Sequence, residues 1–211
     1  MKLDCWHKMT DDHDHRGDCA EAASIEAFLG LGLIELLIGK DVFSRQELMD
    51  TIAEVEGTTH AIGARIVARA WIDAAFRNWI LEPGQANKAI LSLGIDATYP
   101  MFVVANTPDE HNLVVCTLCS CYPRTLLGPP PSWYRSSEYR ARAVAEPRAV
   151  LAEFGLVLGD YVRIRVHDST ADLRYLVIPQ RPEGTDGMDE AQLASLVTRD
   201  SMVGAQTIST A

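Results

Sequence analysis

Val114-Val115-Cys116-Thr117-Leu118-Cys119-Ser120-Cys121-Tyr122-Pro123 is the stretch from which the rest of the chain is read. Three of the five cysteines fall here, in the spacing C-x-x-C-x-C. Thiolate is the metal-binding form of cysteine, and thiolates this close repel one another unless a cation sits among them. A turn tight enough to aim Cys116, Cys119 and Cys121 at one point also brings in the backbone nitrogens of Ser120 and Cys121. Three sulfurs and two nitrogens would leave one position of an octahedral ion open, as a catalytic metal requires and a structural one does not. Three other readings stay open at this level: buried inert cysteines, a redox disulfide with a spare thiol, and a structural zinc site. Zinc would need a fourth ligand. No second C-x-x-C or H-x-x-x-H pair supplies one, and His111 is the nearest candidate.

Outward from the cysteines the pattern is of short strands. Met101-Phe102-Val103-Val104-Ala105 and Leu113-Val114-Val115 read as strands, with Asn106-Thr107-Pro108-Asp109 as the turn between them. The cysteines then sit on a loop at a strand end, and Gly128-Pro129-Pro130-Pro131 stiffens the way out. Helices are expected from Ser136 and from Pro147 to Gly155. Tyr161 to Val166 alternates as a half-buried strand, Leu173 to Ile178 is another, and Asp168 to Asp172 reads as the hairpin turn joining them. Asp189 opens a last helix, ending near Val197.

Upstream the period changes to helical. Ile25, Phe28, Leu29, Leu33, Leu36 and Leu37 recur at three- and four-residue spacing from about Ser24, and Gly39 is a plausible stop. Ser44 and Glu47 form a capping box, with Phe43 and Leu48 placed as a hydrophobic staple. Residues 59–80 read as helix with Ile62, Ile66, Ala70, Trp71, Phe76 and Trp79 on its apolar side. Asp73 is placed to cap a fresh start inside it, and Pro83 suits the first turn of a short helix through Leu91. The sum is an α+β fold: a helical N-terminal arm, then a compact α/β layered domain with short strands and a metal claw on a loop at a strand end.

At 211 residues and 47% apolar, the chain can bury a sizeable core. Mean hydropathy is near zero. No apolar run reaches transmembrane length, and Met1 to His7 lacks a signal-peptide core, so a cytoplasmic protein without membrane contact is expected. The net charge of −10 argues against nucleic acid as a partner. Asp11-Asp12-His13-Asp14-His15 reads as part of a mobile polar arm; Cys5 and Cys19, also in that arm, receive no role.

The claw sequence C-T-L-C-S-C-Y-P resembles that of the nitrile hydratase α subunit. The resemblance continues through Leu127 to Tyr134, Glu138-Tyr139-Arg140, Glu146-Pro147-Arg148, Leu151 to Gly155, Arg174-Tyr175, Pro179 to Pro182, Gly184 to Gly187 and Val197 to Asp200. The thiocyanate hydrolase γ subunit is similar almost as closely, and its claw is followed by Tyr-Pro-Arg, as in Tyr122-Pro123-Arg124. A nitrile hydratase α subunit of the type that acts on toyocamycin is a further relative in view.

That resemblance implies a low-spin centre held by Cys116, Cys119, Cys121 and the backbone nitrogens of Ser120 and Cys121. Threonine at position 117 goes with cobalt(III), one per chain, rather than iron(III). It implies a sulfinic acid at Cys119 and a sulfenic acid at Cys121, both catalytic, with their oxygens held by arginines of β-type subunits. A metal-insertion chaperone is a further possible partner. The implied reaction is hydration of a nitrile to the amide, with water or the Cys121 oxygen attacking the C≡N carbon. The implied layout is a mobile arm over residues 1–22, a helical segment over 23–98 packing on the core and the partner subunit, and a metal-binding catalytic domain over 99–211.

Departures from the family pattern mark this chain. Arg124 stands where an aromatic commonly lines the pocket, and with Thr117 it is a substrate-binding candidate suited to an anion or a polar nitrile. Asp96-Ala97-Thr98 occupies the region of a familiar glutamine, and Ser201 replaces a cysteine. A trivalent ion with three thiolates and two deprotonated amides carries about −2, so cations must lie near it. Arg124 supplies one locally, and Arg174 a second if its strand returns to the site. Nitrile hydration, thiocyanate hydrolysis and non-catalytic metal binding are the functions in view.

Overall fold

Residues 16–57, 59–119 and 121–208 of the computed structural model are described here. The polar arm over residues 1–15, with His13 and His15, and the expected ligand Ser120 lie outside the described residues. The chain divides into two units, residues 1–52 and 53–211.

The first unit holds helix α1 (Arg16–Gly39) and most of α2 (Arg45–Gly57). α1 begins ahead of the expected start near Ser24. It carries Phe28, Leu29, Leu31, Leu33 and Leu36 exposed. The capping box of α2 forms as read: Ser44 N donates to Glu47 Oε2 at 2.7 Å, and Glu47 N donates to Ser44 Oγ at 3.1 Å.

The second unit begins with α3 (Ala61–Ile72), α4 (Ala74–Leu81) and α5 (Ala86–Leu91). The break between α3 and α4 falls at Asp73, whose carboxylate accepts from Phe76 N at 2.9 Å. Pro83 lies in the turn before α5 rather than in its first turn. Ile66, Ala70, Phe76 and Ile80 are buried, whereas Trp79, expected on the apolar side, is exposed. Gly63 is required by close packing: a Cβ there would meet Leu127 Cδ2 at 2.7 Å and Met202 Sδ at 2.8 Å.

The strands are β1 (Met101–Ala105), β2 (Glu110–Val115), β3 (Arg163–Asp168) and β4 (Arg174–Ile178). Between β2 and β3 lie α6 (Arg124–Leu127), α7 (Ser132–Arg135), α8 (Ser137–Ala145) and α9 (Pro147–Glu153). Ser136 caps α8 through Tyr139 N at 3.1 Å. Pro147 opens α9. After β4, α10 (Glu190–Leu196) starts with a capping box of Asp189 and Gln192.

Strand pairing departs from the sequence reading. Both expected turns form, with Thr107 N donating to Glu110 O and Thr170 N to Leu173 O, each at 2.9 Å. Neither joins paired neighbours. β1 pairs parallel with β4, Met101 opposite Arg174, and β2 pairs parallel with β3, Val115 opposite Asp168. The hairpin expected between β3 and β4 is therefore corrected to a corner that passes the chain from one pair to the other. Burial gives the reason: β2 is buried at every position from His111 to Val115. Burial on both faces suits a parallel, covered pair rather than a hairpin with one wet face.

The result is a mixed helix and strand fold with one end organised around the claw. β2 and β3 finish there, where Ser169 N donates to Val115 O at 2.7 Å. β1 and β4 start at that same end, where Arg174 N donates to Pro100 O at 3.0 Å. Among the described residues no helix is long and apolar enough to cross a membrane.

Candidate metal centre

Cys116 is the first residue past β2 and is wholly buried. Cys119 is exposed and Cys121 half-buried. Their three sulfurs lie within 4.8 Å of one another. Cys116 Sγ is 3.4 Å from Cys119 Sγ, which is 3.1 Å from Cys121 Sγ. Metal–sulfur bonds of about 2.3 Å put sulfurs at right angles about 3.3 Å apart, and at the tetrahedral angle about 3.8 Å apart. The Cys116–Cys119 and Cys119–Cys121 separations lie nearer the first value, and three sulfurs within 4.8 Å of one another can share one ion. Cys119 N also donates to Cys116 Sγ at 3.3 Å, which tightens the loop.

Without a cation the cluster resists ionising. Burial, then the neighbouring Cys119 and Cys116, pushes the Cys121 thiol up to about 12, against a smaller opposing pull from Arg174. Positive charge placed among the sulfurs would oppose this and favour the thiolates.

The loop is held from three sides. Asp168, the last residue of β3, accepts from Thr117 N at 2.9 Å and Thr117 Oγ1 at 2.6 Å. Tyr134 donates its hydroxyl to Cys121 O at 3.0 Å, and Tyr139 to Val114 O at 2.7 Å. These tyrosines belong to a packed aromatic group: Tyr122 and Tyr134 meet edge to face at 4.9 Å, and Trp133 packs on Tyr139 at 4.9 Å and on Phe154 at 4.8 Å. Burial pushes the Tyr134, Tyr139 and Tyr122 hydroxyls above their ordinary range, so all three stay protonated.

The expected site residues are thus found as follows. Cys116, Cys119 and Cys121 come together. Thr117 is exposed and engaged by Asp168. Arg124 opens α6 with an exposed side chain. Asp168, Tyr134 and Tyr139 were missed by the sequence reading as claw supports. Asp168 reads as a turn residue, and no local spacing ties position 168 to 117.

The description "nitrile hydratase, alpha chain" matches residues 26–206. The low-molecular weight cobalt-containing nitrile hydratase subunit alpha of Rhodococcus rhodochrous is 46% identical over 185 residues, 87% of this chain and 86% of the relative. The high-molecular weight counterpart from the same organism is 49% identical over 143 residues, 67% of this chain and 70% of the relative. Thiocyanate hydrolase subunit gamma of Thiobacillus thioparus is 44% identical over 195 residues, 87% of this chain and 80% of the relative. Among solved structures, a double mutant of Fe-type nitrile hydratase from Comamonas testosteroni Ni1 superposes with a TM-score of 0.82 at 38% identity, covering 89% of this chain and 92% of that one. Recombinant thiocyanate hydrolase comprising partially modified cobalt centres gives 0.78 at 40% identity, covering 88% and 93%. The chain belongs to the nitrile hydratase alpha chain family, whose members in view include enzymes of two kinds.

Proposed function

We propose that this chain is the metal-binding catalytic subunit of a cobalt nitrile hydratase, a lyase that hydrates a nitrile to the amide as part of a cytoplasmic hetero-oligomer with β-type subunits. The observation that carries the reading is the three-sulfur cluster at the end of β2, close enough to share one ion. The sulfurs of Cys116, Cys119 and Cys121, with the backbone nitrogens of Ser120 and Cys121, are the proposed ligands. Thr117 and the cobalt-containing relatives favour cobalt(III) over iron(III). When bound, such an ion supplies Lewis acidity at an open position.

The chain's own residues do the rest. Cys116, wholly buried, stays a plain thiolate. Cys119 and Cys121 stand at the accessible edge, which is where an oxidant reaches thiolates. A sulfinic acid at Cys119 and a sulfenic acid at Cys121 are the expected products, and arginines of the partner hold their oxygens. The Cys121 oxygen orients the water that adds to the nitrile carbon, or adds to that carbon itself, the S–O bond then breaking to release the amide while a water restores the oxygen on sulfur. Asp168 keeps Thr117, and with it the turn of the loop, in place during turnover. The helical segment over 23–98 packs on the core and on the partner, and residues 99–211 carry the chemistry.

A second reading rests on Arg124. An exposed guanidinium three residues past Cys121 suits an anion, as thiocyanate hydrolysis by a γ-type subunit needs. One experiment separates the two: the purified complex, assayed for cobalt, is offered an aromatic nitrile and thiocyanate. Amide formation supports the first, carbonyl sulfide release the second. A complex holding zinc with no turnover of either refutes both. Peptide mass spectrometry of the loaded complex is expected to find about 32 Da added at Cys119 and about 16 Da at Cys121.

A further inference from the structure

Arg174 is the first residue of β4 and is 8% exposed. Burying a guanidinium is costly unless an anion and hydrogen-bond acceptors surround it. Among the described residues Arg174 forms no ion pair with a carboxylate. Its Nε has no hydrogen-bond partner. Nη1 reaches only Leu173 O, at 3.5 Å. What holds the group is the Tyr99 ring, whose centroid is 4.7 Å from the guanidinium carbon.

The topology says what this cation faces. β4 starts at the end of the fold where β2 and β3 deliver the claw, and Arg174 lies on the same strand face as the fully buried Leu176 and Ile178. One further buried polar atom lacks a partner among the described residues, Tyr122 Oη. It flanks the claw, since Tyr122 directly follows Cys121. Unsatisfied polar atoms concentrated at one end of a fold mark a site completed by something else.

We infer that Arg174 is the claw's counter-ion supplied by this chain itself, a positioning residue whose buried guanidinium, at the claw end of the fold, offsets the negative charge of the loaded centre. The inference rests on the proposed metal centre. It adds a cation in cis to those expected from a partner subunit, and it explains why an unpaired arginine is tolerated in a core face: its anion is the occupied claw. Arg124 differs in both respects, being exposed and outside the strands.

The test uses the assembled complex with R174M and R174K, read by the rate at which a chelator strips cobalt and by the mass of the claw peptide. Methionine keeps the volume and removes the charge; lysine keeps the charge. R174M is expected to lose cobalt about tenfold faster than wild type, in the range typical of groups that support metal ligands. It is also expected to carry less oxygen at Cys121. R174K should stay within about threefold of wild type, the remainder reflecting lost hydrogen-bond geometry. Equal rates for wild type and R174M overturn the inference, and so do equally fast losses from R174M and R174K, which would mean packing rather than charge. If R174M does not assemble, R174K decides alone: cobalt held as in wild type supports the counter-ion role, and a tenfold faster loss overturns it. Wild-type complex without cobalt overturns the metal centre together with the inference, whereas cobalt-loaded wild type with an unaffected R174M overturns the inference alone.

Discussion

The two ends of strand β2 carry polar residues of opposite kinds. At its start Asn106, His111 and Asn112 form a closed network, which His167 of β3, opposite Val114, joins through Asn112. Asn106 Nδ2 faces His111 Nδ1 at 3.2 Å, His111 Nε2 faces Gly204 O at 2.7 Å, and His167 Nε2 faces Asn112 Oδ1 at 2.7 Å. Asn106 Oδ1 accepts from Asn112 N at 2.8 Å. Every bond there uses a group of this chain, and one set of tautomers satisfies all of them: Nε2–H on both histidines. At the other end three sulfurs crowd together and flanking polar atoms lack partners. A closed network is structural, however polar it is. An open one awaits a ligand. Concavity alone misleads here, because a cavity of about 380 Å³ lies beside His111 and Asn106, at the closed end.

The largest expected effect breaks the open end. Replacing Cys116, Cys119 or Cys121 by serine should abolish cobalt retention, with the apo chain's thermal stability changing by about 1 kcal/mol or less at the exposed Cys119 and by more at Cys116, which is wholly buried and accepts from Cys119 N. Metal analysis of the purified complexes and a melting curve check both halves. A serine variant that keeps stoichiometric cobalt would contradict the assignment of that residue as a ligand.

Asp168→Asn comes next. It replaces one of the two acceptors gripping Thr117 with a donor while preserving shape. Cobalt affinity should fall by about 10- to 100-fold with little change in melting temperature. An unchanged affinity would make Asp168 a turn residue, as its sequence context suggests.

At the closed end the order reverses. Asn106→Ala strands His111 and the amide of Asn112, so it should cost about 1–3 kcal/mol of folding stability by denaturant titration. It should leave the claw peptide's oxidation pattern untouched. A loss of metal without a loss of stability would erase the distinction between the two ends.

The smallest effect concerns pH. Burial holds His111 below its ordinary value, against the opposing bond to Gly204 O. A depressed histidine is neutral in the fold. Its contribution is therefore fully present above the unfolded value of about 6.5 and is lost as pH falls below it toward the folded value. His167, depressed by burial and then by Arg165, acts in the same direction. Melting temperature should drop between about pH 6.5 and 5, and His111→Gln should flatten part of that drop. An identical profile in the variant would assign the acid sensitivity elsewhere.

Much of the local structure was legible in the chain. Ser44 and Asp73 cap the helices they were read to cap, and Ser136 and Asp189 cap helices expected to begin there, because capping is settled by a side chain and an amide two or three residues on. Pro147 and the turns at Thr107 and Thr170 are local in the same sense. The cluster of Cys116, Cys119 and Cys121 was legible too, since six residues cannot spread far.

What the sequence by itself determined, then, is what short segments decide: helices, turns, the clustered thiols and, through several spaced motifs, the family. Only the tertiary structure decided the parallel pairings, which join positions more than fifty residues apart and turned an expected hairpin into a corner. With those pairings came the grip of Asp168 on Thr117 and the placement of Arg174 at the claw end. Position along a strand is local, but which strand lies beside it is set by how the buried faces pack, and no spacing between neighbours records that.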